Sequence, residues 1–367
     1  MSWGHAVSED LINWNELPVA IACDDSYAIF SGSAVVDYFN TTGFGSIDNP
    51  AMVAIFTAHQ HDGLRQVQSL ACSTDNGITW QQYEGNPVLD LQLDHFRDPK
   101  VTWDRTTESW LMTVVLPKER KVSFYSSKDL KNWAHLSDFG PVGAVNGDWE
   151  CPDLFPLTID GEQVWVLLVS LNPGGLYGSG TQYFIGDFDG TTFKPRYSTE
   201  EPRWLDYGKD NYAGVTFSNE PNGKRVLIGW LANWSDVNLH PETSWTTQMT
   251  VPRVLGLTHY QDEIVLTQKP VSQPTYEILE SVPKTGSIEL TGYAKVGYNV
   301  DRKVIFINDY EAPYEPTSEK IHLKVVVDNS SIELFTGDGV RSISLALFPP
   351  LGISRELTPS ALVDTVS

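Results

Sequence analysis

Two short stretches carry residues able to do acid–base chemistry on a polar substrate. Asp148-Trp149-Glu150-Cys151-Pro152-Asp153-Leu154-Phe155 sets a carboxylate between an indole and a thiol just ahead of a proline, and Phe96-Arg97-Asp98-Pro99-Lys100 repeats the design with an aspartate. A glutamate flanked by Trp149 and Cys151 is expected to lie at least half buried, and desolvation raises a carboxyl pKa towards the range useful to a general acid. The bland alternative is a glutamate facing water on an edge strand, and the octapeptide alone favours it. The second stretch shifts the balance. Paired carboxylates on facing strands are the working parts of a glycosidase: one donates a proton to the leaving oxygen, the other attacks or stabilises the sugar cation.

The elements that must position these acids form a repeat. Ser8-Glu9-Asp10-Leu11-Ile12-Asn13-Trp14, Ser73-Thr74-Asp75-Asn76-Gly77-Ile78-Thr79-Trp80 and Ser126-Ser127-Lys128-Asp129-Leu130-Lys131-Asn132-Trp133 each place an Asp/Ser turn before an aromatic anchor, and Asp187-Phe188-Asp189-Gly190-Thr191-Thr192-Phe193 is a looser copy. Such copies read as hairpins between short β runs, and their spacing of about 50 to 65 residues is in the range of propeller blades. Strands are expected at Ala34–Asp37, Met52–Thr57, Trp110–Leu116, Val164–Ser170 and Arg225–Ala232, while helix signals are nearly absent. At about four strands per repeat, the pattern makes four or five blades before it fades near residue 265. Asp98 follows the second copy and Glu150 the third, so the two acids are expected on inner strands of successive blades. Past Thr267, Pro270, Pro274 and Pro283 mark an irregular entry, and alternating Ile321, Leu323, Val325 and Val327 begin a small antiparallel sandwich. The expected domains are a propeller over residues 1–268 and a shortened sandwich over residues 269–367.

Composition narrows the ligand. Forty-seven acidic against 25 basic residues give a formal charge of -22 over 367 residues, which repels nucleic acid and anionic membrane surfaces and favours a neutral or cationic ligand. Twelve Trp and fifteen Tyr are suited to stacking on sugar rings, although most aromatics of a β protein are core. Cys23, Cys72 and Cys151 cannot all pair and show no metal-site spacing, so no metal and no cofactor is expected. The triplets at Asn40, Asn233 and Asn329 would permit N-glycosylation in a secreted eukaryotic protein. No signal peptide precedes Trp3 and no apolar run would span a bilayer, so a soluble chain is expected, with its leader removed or omitted if it is secreted.

The chain resembles the family 32 glycoside hydrolases, the group of invertases, exo-inulinases, levanases and fructosyltransferases. The resemblance rests on Trp3-Gly4-His5-Ala6-Val7-Ser8-Glu9-Asp10-Leu11, Phe30-Ser31-Gly32-Ser33-Ala34-Val35-Val36-Asp37, Phe96-Arg97-Asp98-Pro99-Lys100-Val101, Trp149-Glu150-Cys151-Pro152-Asp153, Asp206-Tyr207-Gly208-Lys209-Asp210-Asn211-Tyr212-Ala213 and, more loosely, Trp245 to Leu255. It implies an all-β chain: a five-bladed propeller, its first blade incomplete, followed by a small β-sandwich. It further implies an acid/base in Glu150, a transition-state stabiliser in Asp98, an orienting role for Arg97, a tuning role for Cys151, and sugar contacts from Ser31 and Trp245.

One departure stands out. The family's nucleophilic aspartate lies in a Trp-Met-Asn-Asp-Pro-Asn-Gly-like motif upstream of the Trp-Gly-His segment, and Trp3 stands at the start of this sequence, so the motif is absent. The resemblance therefore implies a β-fructofuranosidase scaffold for sucrose, inulin or levan, acting with retention in an intact form. As printed, an N-terminally truncated chain with little or no turnover is expected. Alternatives are a non-catalytic sucrose or fructan binder, a fructosyltransferase in its intact form, and an arabinan-directed enzyme of a neighbouring five-bladed family. Extracellular location is expected from the same resemblance, and oligomeric state is open.

Overall fold

The computed structural model describes residues 1–61, 65–240, 246–348, 354 and 356–359. Among these, two 3-10 turns, Pro117–Glu119 and Val237–Leu239, are the only helical elements, and every other regular element is a strand. A two-stranded sheet of β1 (Trp3–Val7) and β2 (Asn15–Ile21) comes first. Three sheets with strands paired in chain order follow: β3 (Tyr27–Val36), β4 (Met52–Gln60), β5 (Gln66–Ser73) and β6 (Gln81–Gln82); β7 (Arg97–Asp104), β8 (Ser109–Leu116), β9 (Lys121–Ser127) and β10 (Ala134–Phe139); β11 (Asp148–Ile159), β12 (Glu162–Gly175), β13 (Gly178–Phe188) and β14 (Phe193–Pro195). In the last of these, β15 (Arg203–Trp204) joins β13. A fifth sheet holds β16 (Tyr212–Thr216), β17 (Arg225–Trp230), β18 (Arg253–Tyr260) and β19 (Glu263–Pro270).

Each copy of the sequence repeat falls in the connection before the last strand of one of the first four sheets: β1/β2, β5/β6, β9/β10 and β13/β14. The aspartate of each copy closes its loop the same way. Asp10 Oδ1 accepts the Ile12 and Asn13 amides, Asp129 Oδ1 those of Lys131 and Asn132, Asp189 Oδ1 those of Thr191 and Thr192, and Asp75 Oδ1 that of Thr79. Multiple donors favour the charged form, and hydrogen bonds from Thr79 and Ser73 hold the Asp75 carboxyl down at about 2. The terminal indoles are fixed too, Trp80 Nε1 donating to Gly77 O and Trp133 Nε1 to Leu130 O, each at 2.9 Å. By this register β1 and β2 are the outer pair of a blade.

Beyond residue 275, β20 (Tyr276–Ser281), β21 (Ser287–Gly292), β22 (Lys295–Asn299), β23 (Val304–Ile307), β24 (Tyr310–Pro313), β25 (Lys320–Val327), β26 (Ser331–Thr336), β27 (Ser342–Ala346) and β28 (Leu357–Pro359) make two sheets, ordered β20-β25-β26-β27 and β24-β23-β22-β21-β28. Alternation places Ile321, Leu323 and Val325 on the inner face of one sheet, where they share a core with Val296, Tyr298 and Ile305 of the other. The chain divides into two compact units. One comprises Met1–Gly174, Gln182–Arg203 and Val215–Arg225, the other Gly175–Thr181, Trp204–Gly214 and Val226–Ser367. The stretches Phe96 to Lys100 and Asp148 to Phe155 both lie in the first unit.

Candidate active site

A shared backbone device places the polar residues. On β7 the register slips between Arg97, opposite Val115, and Lys100, opposite Thr113, so Asp98 and Pro99 face a single partner residue. On β11 Cys151 and Pro152 do the same between Glu150 and Asp153, and on β3 Phe30 and Ser31 do so between Ile29 and Gly32. These are β-bulges, which re-aim side chains out of the ladder. Asp98 (φ 65°) and Cys151 (φ 46°) adopt the left-handed region, a strained state worth roughly 1–3 kcal/mol each that surrounding contacts must hold. The prolines fit because a residue without an N–H leaves no ladder donor unpaired at a bulge. Gly32 is required by close approach, since a Cβ there would sit 2.0 Å from the Ile55 carbonyl oxygen.

Buried aromatics anchor both acids. Phe96 is fully buried, and its amide donates to Gln66 Oε1 at 3.0 Å while its carbonyl accepts from Gln68 Nε2 at 2.8 Å. Trp149 is equally buried among Phe139 and Phe184, with Nε1 donating to Ala144 O at 2.9 Å. A relay then fixes the strained aspartate. The Asp98 amide donates to Thr57 Oγ1 at 2.9 Å, and that hydroxyl donates to Gln68 Oε1 at 2.9 Å. Thr57 is also the residue opposite the β3 bulge.

Arg97 joins the two acids. Its Nη2 and Nε donate to Glu150 Oε1 at 2.9 and 3.3 Å, and Nε lies 3.9 Å from Asp98 Oδ2. Asp98 is buried and Oδ2 accepts the Cys151 amide at 2.9 Å, whereas Glu150 keeps 21% of its side chain exposed. Burial above all, then the Glu150 charge, raises the Asp98 carboxyl to about 6 against the opposing pull of Arg97. Burial likewise pushes the Cys151 thiol well above its usual value, so it stays protonated and acts as a donor. His59 stacks on Phe30 with centroids 4.5 Å apart and meets Gln66 Nε2 at 3.4 Å, flanking the site.

Of the residues picked from sequence, Arg97, Asp98, Glu150 and Cys151 come together. The Cys151 thiol, expected to tune Glu150, instead faces Asp98 Oδ2 at 3.6 Å, because the bulge turns it to the buried side of the strand. Ser31 lies exposed in the β3 bulge; Ser33 makes the link to β7, donating to Pro99 O and accepting from the Val101 amide, both at 3.0 Å. Trp245 lies outside the described residues. Thr57, Gln66 and Gln68 were missed, although two alternating glutamines opening a β-prone run were a visible signal. The Asn233 glycosylation triplet is corrected: its side chain is fully buried and donates to the Ser179 and Lys209 carbonyls, leaving no access for a glycan. A cavity of about 790 Å³ opens at the opposite ends of β3 and β7, lined by Val36, Phe39, Trp103 and Arg225, away from these acids.

The glycosyl hydrolases family 32 N-terminal domain matches residues 1–270, and that family's C-terminal domain matches residues 283–362. The chain belongs to glycosyl hydrolase family 32. It is 37% identical to a levanase of Bacillus subtilis over 95% of its own length and 60% of the levanase, so it spans under two thirds of that relative. It is 33% identical to an extracellular exo-inulinase of Aspergillus niger, over the whole of this chain and 84% of the inulinase. Among solved structures, the exo-inulinase of Aspergillus awamori superposes with a TM-score of 0.88 at 31% identity, covering 95% of this chain and 85% of that one. The β-fructofuranosidase of Schwanniomyces occidentalis with fructosyl-erythritol gives 0.86 at 29%, covering 98% and 84%. The fold is thus a family 32 β-propeller followed by a β-sandwich, and the chain is by family a glycosidase of O-glycosyl bonds.

Proposed function

We propose that Arg97, Asp98 and Glu150 form the fructosyl site of a β-fructofuranosidase-type hydrolase for sucrose or fructans such as inulin and levan. The observation that carries this reading is the Arg97 guanidinium set between a buried aspartate and a partly exposed glutamate. Glu150, reachable from solvent and oriented by Arg97, protonates the leaving glycosidic oxygen and later serves as base towards water. Asp98, held by the Cys151 amide and with Oδ1 making no hydrogen bond among the described residues, accepts two sugar hydroxyls and steadies the oxocarbenium-like transition state. If a sugar hydroxyl replaces water, the same chemistry transfers the fructosyl group. The names of the levanase and the extracellular exo-inulinases support both the substrate class and a secreted protein.

A second reading for these residues is a fructosyl binder without turnover, favoured by the two Arg97 hydrogen bonds that already occupy Glu150 Oε1. Calorimetric titration with fructose, sucrose and inulin, run beside a sugar-release assay, separates the readings. Saturable binding is expected under both readings, and sugar release under the first alone. Brisk hydrolysis abolished by Glu150→Ala would remove the second reading and leave the first. A folded chain that binds none of the three sugars would remove both.

A further inference from the structure

A second polar cluster lies in the other compact unit, outside the site described above. Among the described residues Asp210, Asp236 and His240 each offer one ligand atom within 4.8 Å of the others. Asp210 is 3% exposed; its Oδ2 accepts the Ala346 amide at 2.8 Å, while Oδ1 is buried without a hydrogen-bond partner. Asp236 Oδ1 and His240 Nδ1 are also buried and unpartnered, and the His240 side chain is only 7% exposed. Three unsatisfied polar atoms in one place are an expense that native structures normally avoid, each costing about 1–3 kcal/mol.

Local structure holds them there. Asp236 stands at the N-cap of the Val237–Leu239 turn, yet its carboxylate makes no capping bond; Lys209 Nζ engages Oδ2, which leaves Oδ1 turned 4.0 Å from His240 Nε2. His240 follows the turn and packs at a tilt against Phe348, with ring centroids 4.9 Å apart. Two carboxylates and one imidazole, with the lysine already spent on one oxygen, keep a net negative character that a cation would relieve. One imidazole and two carboxylates are the mixed donor set of zinc and manganese rather than of magnesium or calcium, and bonds of about 2.1 Å would draw the three atoms inward to roughly 3.4 Å from one another.

We propose that Asp210, Asp236 and His240 bind one divalent transition-metal ion of the zinc class. The ion would tie the Val237–Leu239 turn to the Asp210 loop, with no part in glycoside cleavage. The test uses the 367-residue chain carrying Cys23→Ser, because Cys23 is an exposed thiol that would itself capture zinc. After EDTA treatment, calorimetric titration with ZnCl₂ and elemental analysis are expected to show one equivalent, with a melting temperature that rises with zinc. Asp210→Asn and His240→Gln should each weaken uptake at least about 100-fold and remove the thermal shift. If Asp210→Asn fails to fold, His240→Gln decides alone. No saturable uptake by the folded parent, or uptake unchanged in His240→Gln, overturns the site.

Discussion

Arg97 and Arg253 are each set between an aspartate and a glutamate, and the two are solved in opposite ways. Arg253 donates to Asp206 Oδ2 at 2.9 Å and Glu333 Oε2 at 2.6 Å, with all three side chains at most 3% exposed. Around it Ser342 and Ser344 hydroxyls and the Gly208 and Ser344 amides donate to Asp206, and the Val251 amide donates to Glu333. Arg97 has the same partners in kind, but among the described residues Asp98 receives donors only on Oδ2, and Glu150 reaches solvent. In the Arg253 triad every carboxylate oxygen already has a donor, although Arg253 Nε is buried without a partner. Asp98 keeps acceptor capacity for a ligand.

Removing each arginine should separate the two most strongly. Arg253→Met leaves two carboxylates buried without a counter-charge and is expected to cost ~3–5 kcal/mol in urea unfolding. Arg97→Met, beside a carboxyl that solvent reaches, should cost about 1 kcal/mol while sharply weakening sugar binding. Equal losses of stability would erase the distinction.

A smaller effect has the opposite sign. With Asp98 raised to about 6 in the fold against 3.8 for an ordinary aspartate, the native state holds the proton more tightly between those values. Stability from this group therefore falls as pH rises from about 4 to about 6, by up to ~3 kcal/mol at roughly 1.4 kcal/mol per pKa unit. Asp98→Asn should accordingly be more stable than the parent at pH 7 and equal to it near pH 4. The corresponding Asp206→Asn change should destabilise at pH 7. Thr57→Val strips the strained Asp98 amide of its acceptor: a loss of ~1–2 kcal/mol and about tenfold in fructose affinity, both restored by Thr57→Ser.

Much of this contrast was legible from the chain, and part was not. The aspartate-and-aromatic repeat marked the blade loops because each loop is closed by its own side chain, and the two proline-bearing acidic stretches marked the site because both are bulges on inner strands. The left-handed turn at Cys151, which sends the thiol to Asp98, depends on register against β12 and has no local signature. Arg253, Asp206 and Glu333 meet across 47 and 80 residues of sequence, so nothing near any one of them announced the triad. The Thr57–Gln68 relay was hidden for a related reason: its meaning appears only once β4 and β5 stand behind the β7 bulge.

The most direct test of the donor-short site is fructose affinity at pH 7 for the parent chain, Asp98→Asn and Asp206→Asn, compared at a temperature where all three are folded. The Asp98 carboxylate as acceptor of two hydroxyls predicts a loss of about 100-fold in Asp98→Asn despite its greater stability, with Asp206→Asn near the parent. Unchanged affinity in Asp98→Asn would contradict it.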